Sequence, residues 1–404
     1  MTFHRPVLAA EMAQQLLRPK GLVRSAIRSG LFLAGLRRTG KTTFLRGDLI
    51  PALEAAGAIV VYIDLWSNTA ARPTDLLLAA VRKTLQDLER PDSKMLAVLK
   101  RLKGLDVGGA GFKFGFNLAE LGQNDGNTLA GAFSELVNKA RTDVVVIIDE
   151  VQHALNTDDG DNMLLALKAA RDEINTRPDT PGHFLFLGTG SHRARVRELT
   201  IKGTQAFNGA MSEDFPVLEM DFVQWLLKEA DLGLRAPSPD AAFECFKRLG
   251  RRPEELTKAL VALQNMPAFT NADQDLRAIT EGIRQSAAAV ELARVEDLGT
   301  LALAVFGYVC DEGGQAVKKL FSAATLEAYG RAVGRPVAAE EVQKVTGMLL
   351  DENILARDGH GIYGVSDPFV IEAWRGRASI RATLEGGESA GPGPQAIEAS
   401  RPGP

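Results

Sequence analysis

The stretch Gly35-Leu-Arg-Arg-Thr-Gly40-Lys41-Thr42-Thr43, delivered by the apolar run Leu31-Phe-Leu-Ala34, constrains this chain more than any other. Its spacing is that of a phosphate-binding loop between a strand and a helix. Gly35 and Gly40 let the backbone curl and turn its N–H groups onto an anion, where a Cβ would obstruct the approach. Lys41 reaches the β- and γ-phosphates as a point charge. The Thr42 hydroxyl ligates Mg²⁺ at the start of a helix whose dipole also favours an anion. Leu36, Arg37, Arg38, Thr39 and Thr43 complete the nucleotide cradle. Lys41 to Ile50 is helix-compatible, which supplies the other half of the setting the motif requires. The alternative is a Gly-rich turn with no ligand.

About a hundred residues on, Asp143-Val-Val-Val-Ile-Ile148-Asp149-Glu150 is the most apolar run in the chain, and two carboxylates end it. A fully buried strand with acids only at its tip reads as a central parallel strand with a site at its carboxyl end. Asp149 would hold Mg²⁺, through water, and Glu150 would polarise the attacking water. Read without the upstream loop, the two acids would simply favour the start of the next helical segment. A further buried run, His183-Phe-Leu-Phe-Leu187-Gly-Thr189-Gly-Ser191, ends in small polar groups. Thr189 or Ser191 would there hydrogen-bond the γ-phosphate or the lytic water. Arg193, Arg195, Arg197 and Lys202 follow, either as a source of a finger for another nucleotide or phosphate backbone, or as a solvated basic face.

At 404 residues the chain exceeds one compact core, and its 45% hydrophobic content is that of a globular protein. The net charge of −4 exerts no general pull on nucleic acid or anionic lipid. Cys245 and Cys310 lie in apolar helical stretches without a partner at metal-binding spacing, which reads as buried packing in a reducing compartment. No apolar run is long enough for a membrane span, and no signal-peptide core opens the chain. A cytoplasmic location without membrane contact is therefore expected.

The remaining pattern is regular. Helical stretches at Leu8 to Leu17 and Leu22 to Ser29 precede the loop, Ala58 to Leu65 reads as a second strand, and Pro73 opens a helix to about Leu88. Residues 104–118 alternate Phe112, Phe114 and Phe116 among glycines, as a ribbon either packed on its own domain or offered to a partner. Phe215-Pro-Val-Leu-Glu-Met220 reads as a fifth, edge strand. Helices at about 221–232, 238–249 and 253–265 would form a lid, with Arg251 and Arg252 either aimed at the phosphates or left on the surface. A long polar helix spans about 273–297. Helices at 298–311, 317–332 and 338–353, followed by a hairpin turning at Asp358-Gly-His-Gly361, read as a winged helix. Its third helix carries Glu340, Glu341, Lys344, Asp351 and Glu352, so it would repel DNA phosphates. Beyond about 378 the Gly, Pro, Ser and Glu content is too polar to fold.

These motifs together resemble the archaeal-ATPase and STAND-like P-loop ATPases, relatives of the AAA+ class and of the origin-recognition initiators. The resemblance is carried by the paired arginines in Gly35-Leu-Arg-Arg-Thr-Gly-Lys-Thr42, by Ile147-Ile-Asp-Glu-Val-Gln152 and by Gly188-Thr-Gly-Ser191. Phe207-Asn-Gly-Ala, Asp214-Phe-Pro-Val-Leu, Gly250-Arg-Arg-Pro253 and Val365-Ser-Asp-Pro-Phe-Val370 extend it over about residues 20–375. It implies an α/β fold with a parallel sheet in the order 5-1-4-3-2, a helical lid and a C-terminal winged helix. The implied boundaries are a core at 1–220, a lid and connecting helix at 221–297, a winged helix at 298–378 and a disordered tail at 379–404. Gly35, Gly40, Lys41, Thr42, Asp149 and Glu150 match the group's nucleotide site, which implies ATP or ADP with Mg²⁺ and a slow ATPase. No arginine finger can be placed. A switch acting on a protein partner or on a second copy of the chain is expected, with a DNA-clamping loader or transposition helper as the alternative.

Overall fold

The computed structural model describes residues 2–103, 112–114, 128–203, 205–267, 271–352, 354–359, 361–367, 370–372 and 374–376. Two compact units divide the chain, Met1–Thr280 and Glu281–Pro404, and the division falls inside the helix Ala272–Asp297.

The first unit is built on a parallel sheet of β1 (Leu31–Ala34), β2 (Ile59–Asp64), β3 (Val144–Asp149), β4 (Phe184–Gly190) and β5 (Met211–Asp214). Among the described residues the strand order is β2-β3-β4-β1-β5, the order expected from the resemblance. Every residue of β1, β3 and β4 is buried, because helices cover both faces of the sheet. The period of two divides the side chains. Phe32, Val61, Val146 and Phe186 enter one core. Leu33, Val60, Ile147 and Leu187 enter the other. Parallel pairing then aligns the strand tips, with Asp64 opposite Asp149 and Ala34 opposite Gly190. The chemistry-bearing loops leave from that one edge.

The fifth strand lies earlier than Phe215-Pro-Val-Leu-Glu-Met220. Met211–Asp214 pairs with Leu31–Ala34, and Phe215 N–H still donates to Ala34 O at 2.7 Å. Pro216 has no N–H to continue the ladder, so the chain turns away there. The proline ends the strand rather than marking it.

A buried carboxylate secures the far end of β3. Asp143 accepts from His183 N–H at 2.9 Å and from Arg18 Nη1 at 2.7 Å. Burial alone would raise its pKa, but the hydrogen bonds from His183 and Arg18 together outweigh that and hold it at about 2. Because the folded state holds the proton less tightly than the unfolded chain, this stabilisation is present above the ordinary value of 3.8 and is lost as the pH falls toward about 2. Asp143→Asn should therefore cost about 2 kcal/mol at neutral pH. In denaturant titrations the gap between parent and variant should close as the pH falls through that window. A constant gap would mean that shape, not charge, carries the effect.

After β5 come the helices Met220–Ala230, Pro239–Arg248 and Pro253–Gln264. Ser238 Oγ accepts from Ala241 N–H at 3.3 Å to cap the second, and Pro253 stands in the first turn of the third. Gly250 (φ +70°) and Arg251 (φ +54°) make the turn between them. Phe222 and Phe246 pack with ring centroids 5.1 Å apart, and Cys245 is buried beside them.

In the second unit, the helices Thr300–Asp311, Ala323–Val333 and Ala339–Asp351 precede the antiparallel pair β6 (Leu355–Gly359) and β7 (Ile362–Val365), which is the element order of a winged helix. Val317 bridges to Tyr363 as a further edge contact. Phe306, Cys310, Leu349 and Leu355 form the core of this unit. Asp358 and Gly359 belong to β6, whose register shifts between Arg357 and Gly359, so these two residues of the expected turn lie in the strand; His360 lies outside the described residues.

Of the ribbon at 104–118 only residues 112–114 are described. Phe112 is buried in the first unit's core, its N–H donates to Leu88 O at 3.2 Å, and its ring stacks on Phe114 at 6.4 Å. The rest of the ribbon, Phe116 included, and the tail at 379–404 lie outside the described residues. No helix among the described residues is long and apolar enough to cross a membrane.

Candidate nucleotide site

The loop Gly35–Thr39 leaves β1 and enters a helical run made of Lys41–Phe44, a π-turn at Leu45–Leu49 and Ile50–Ala55. Gly40 has φ +88°, the left-handed conformation that glycine adopts without a Cβ penalty. Gly35 serves differently from what the spacing suggests. Its φ is ordinary, but a Cβ there would stand 3.0 Å from the Cβ of Phe215. Space, not conformation, is what favours glycine at that position. Arg38 is the loop residue that takes a positive φ, +64°.

Lys41 is buried and donates to Gly35 O at 2.9 Å and Leu36 O at 2.8 Å, folding back over the loop. Burial lowers its pKa, with Glu150 and Asp149 acting in the opposite sense. Thr39 Oγ1 closes the loop on Leu36 O at 2.8 Å. Thr43, one residue past Thr42, is exposed on the first turn of the helix.

Asp149, at the tip of β3, draws donors from β2, from β4, from the start of the P-loop helix and from the backbone just after itself. Thr42 Oγ1 donates to its Oδ2 at 2.6 Å and Tyr62 OH to the same oxygen at 3.1 Å. Thr189 Oγ1 and the Glu150 N–H donate to Oδ1. A threonine hydroxyl and a carboxylate in direct contact form the hard-oxygen pair that suits Mg²⁺, which takes its other ligands from phosphates and water. Tyr62 escaped sequence reasoning. It lies opposite Ile147, two residues back from the Asp64–Asp149 pair, so the strand period puts it on the acid's face.

Glu150 has φ +54° and turns its carboxylate toward the β4 tip. Its Oε2 accepts from Ser191 Oγ at 2.7 Å, Ser191 N–H at 3.1 Å and Gln152 Nε2 at 2.5 Å. These donors fix its orientation. Arg37 Nε donates to Ser191 Oγ at 3.4 Å, and its guanidinium lies 4.5 Å from the Trp66 ring. The two sensor candidates therefore divide the acids between them, Thr189 to Asp149 and Ser191 to Glu150.

The lid approaches the same loop. A cavity of about 190 Å³ is lined by Gly35, Leu36 and Thr39 of the loop and by Arg193, Lys247 and Arg251, with Lys247 ion-paired to Glu244 at 2.5 Å. Arg251 is ion-paired with Glu219, and Arg38 lies 3.5 Å from Glu255 at the start of the third lid helix. Arg193 and Arg197 flank Asp214 at 3.9 and 3.6 Å, so part of the basic helix face is internally paired. Arg252 is half-buried at the boundary of the helix Pro253–Gln264 and is not in that cavity's lining. Lys247 was missed because nothing in its sequence context separates it from a surface lysine. A second cavity, of about 410 Å³, shares the Val217 wall and is lined by residues 4–8, Glu11, residues 216–219 and Asp221.

No family model matches the chain, and no curated protein matches its sequence. Among solved structures it is similar to the Aeropyrum pernix ORC2 protein in its ADPNP–ADP complexes, at 14% identity over 93% of this chain and 94% of that one, with a TM-score of 0.50. The Aeropyrum pernix ORC1 protein in complex with DNA matches at 15% identity over 95% of each chain, with a TM-score of 0.41. Cdc6p from Pyrobaculum aerophilum matches at 15% identity over 93% of this chain and 96% of that one, with a TM-score of 0.39. At this identity the likeness speaks for the fold alone, in agreement with the strand order: the chain has the fold of the Aeropyrum pernix ORC2 protein.

Proposed function

We propose that this chain binds ATP with Mg²⁺ at the P-loop, hydrolyses it slowly and works as a switch whose state passes from the lid to the winged helix. The observation that carries the reading is the 190 Å³ cavity in which the P-loop faces Arg193, Lys247 and Arg251. Cations on two elements converge there on a loop shaped to bind an anion. Phosphates would take over the Lys41 ammonium from the Gly35 and Leu36 carbonyls, and the base would lie in the adjoining 410 Å³ cavity, a size usual for such ligands. Mg²⁺, held by Thr42 and Asp149, would neutralise charge on the transferred phosphoryl group. Glu150 would orient and deprotonate the attacking water, with Ser191, Gln152 and Thr189 holding the two acids in place.

The domain reading that goes with this is a core at 1–220, a lid and connecting helix at 221–297 and a winged helix at 298–378. ATP closes the lid by drawing Arg251, with Arg252 beside it, from its present contacts onto the γ-phosphate. A ligand shifts such an equilibrium only through contacts it makes better in the closed state. Accordingly, ATP added to Glu150→Gln protein should change the distance between a spin label on the core and one near Gly359. Arg251→Ala combined with Arg252→Ala should abolish the change while ADP still binds. An identical response in the double variant would remove the lid arginines from the mechanism.

The output is read as a contact with a protein partner or a second copy of the chain. The helix Ala339–Asp351 carries Glu340, Glu341 and Asp351 against Lys344, a balance that disfavours DNA phosphates. DNA-stimulated hydrolysis that falls steeply with salt would overturn this part and favour the DNA-clamping alternative.

A further inference from the structure

Behind the wall of the 410 Å³ cavity lies a set of contacts that hydrolysis does not use. The P-loop helix is broken by the π-turn Leu45–Leu49, which holds the buried carboxylate of Asp48. Asp48 Oδ1 accepts from His4 Nδ1–H at 2.7 Å, and Oδ2 accepts from Arg5 N–H at 3.1 Å. The Arg5 guanidinium lies 4.6 Å from the Phe44 ring and 4.9 Å from the Phe215 ring, and its Nη1 donates to Pro216 O at 2.8 Å. His4 and Arg5 thus join the P-loop helix to the chain that leaves β5, and both line the cavity.

We propose that Asp48 is a positioning residue for nucleotide binding, tying residues 4–8 to the P-loop helix so that they form the wall on which the base is seated. The inference rests on the ATP reading above. His4 and Arg5 lead into the helix Pro6–Leu17, whose first turn completes the wall, and a wall left loose at that entry would have to be ordered at each binding event. Asp48 removes that cost by anchoring the wall to the same helix that holds the phosphates. The wider π-turn, a feature frequent at functional sites, places a carboxylate where it meets two successive residues of the segment.

The test uses the full chain with Mg²⁺ and compares ADP with inorganic tripolyphosphate, which has no base. Asp48→Ala should weaken ADP binding about tenfold and leave tripolyphosphate within about twofold. Asp48→Asn keeps an acceptor for the Arg5 N–H and should restore most of the ADP affinity. Equal losses for both ligands would mean that Asp48 supports only the P-loop helix, and an unchanged ADP affinity would mean that the wall does not seat the base. Either result overturns the proposal. Lys41→Ala in the same assay keeps the two readings apart. It should weaken both ligands, and unchanged binding of both would fail the P-loop reading instead. Should Asp48→Ala not fold, His4→Ala, which removes the side-chain donor to Asp48, must show the same contrast between ADP and tripolyphosphate.

Discussion

Lys41→Ala should reduce ATP and ADP affinity by about two orders of magnitude or more, since it would remove the side-chain cation that the proposed site offers to the β- and γ-phosphates. In the free protein Lys41 is buried against its own loop, donating to Gly35 O and Leu36 O. Burial disfavours its charge, so the ammonium is held in a poorly solvated place where a phosphate is a better partner than two carbonyls. Titration calorimetry with ATP–Mg²⁺ reads the loss directly. A variant that binds as tightly as the parent would show that the loop is a turn without a ligand.

Glu150→Gln should separate binding from turnover. The substitution keeps the shape at the β4 tip, and the Thr42–Asp149 contact is untouched, so ATP affinity should stay within a few-fold of the parent. Hydrolysis should fall by about 10²–10⁴, the usual contribution of a positioned general base. Steady-state phosphate release and equilibrium ATP binding, measured on the same preparation, supply the two numbers. If binding falls as far as turnover, Glu150 serves the metal or the fold. A modest fall in turnover alone would assign water activation to another group.

How much of this was legible beforehand depended on how local each feature is. The apolar runs at β1, β3 and β4 announced themselves because strands buried on both faces need no alternation. The edge strand did not. Met211–Asp214 is half-buried and short, and its place is decided by pairing with Leu31–Ala34, while the more apolar Phe215-Pro-Val-Leu next to it was mistaken for the strand. Thr42, Asp149, Glu150, Thr189 and Ser191 were each legible as residues at strand tips or a helix start. That Thr189 bonds Asp149 while Ser191 bonds Glu150 was not, because it depends on the side-by-side register of β3 and β4.

The amino-acid sequence by itself determined the phosphate loop, the paired acids, the parallel α/β class and the hairpin after three helices. Each is read from short windows of about ten residues taken in order along the chain, where spacing, periodicity and turn chemistry act on neighbours. Only the tertiary structure decided that Gly35 packs closely on Phe215, that Tyr62 and Gln152 attend the two acids, that Arg193, Lys247 and Arg251 line a cavity with P-loop residues, and that Asp48 holds His4 and Arg5. Those contacts join residues up to about two hundred positions apart, and their partners are set by how helices close over a twisted sheet. A buried polar group takes whichever partner the packing delivers, and no pattern along the chain records which one that is.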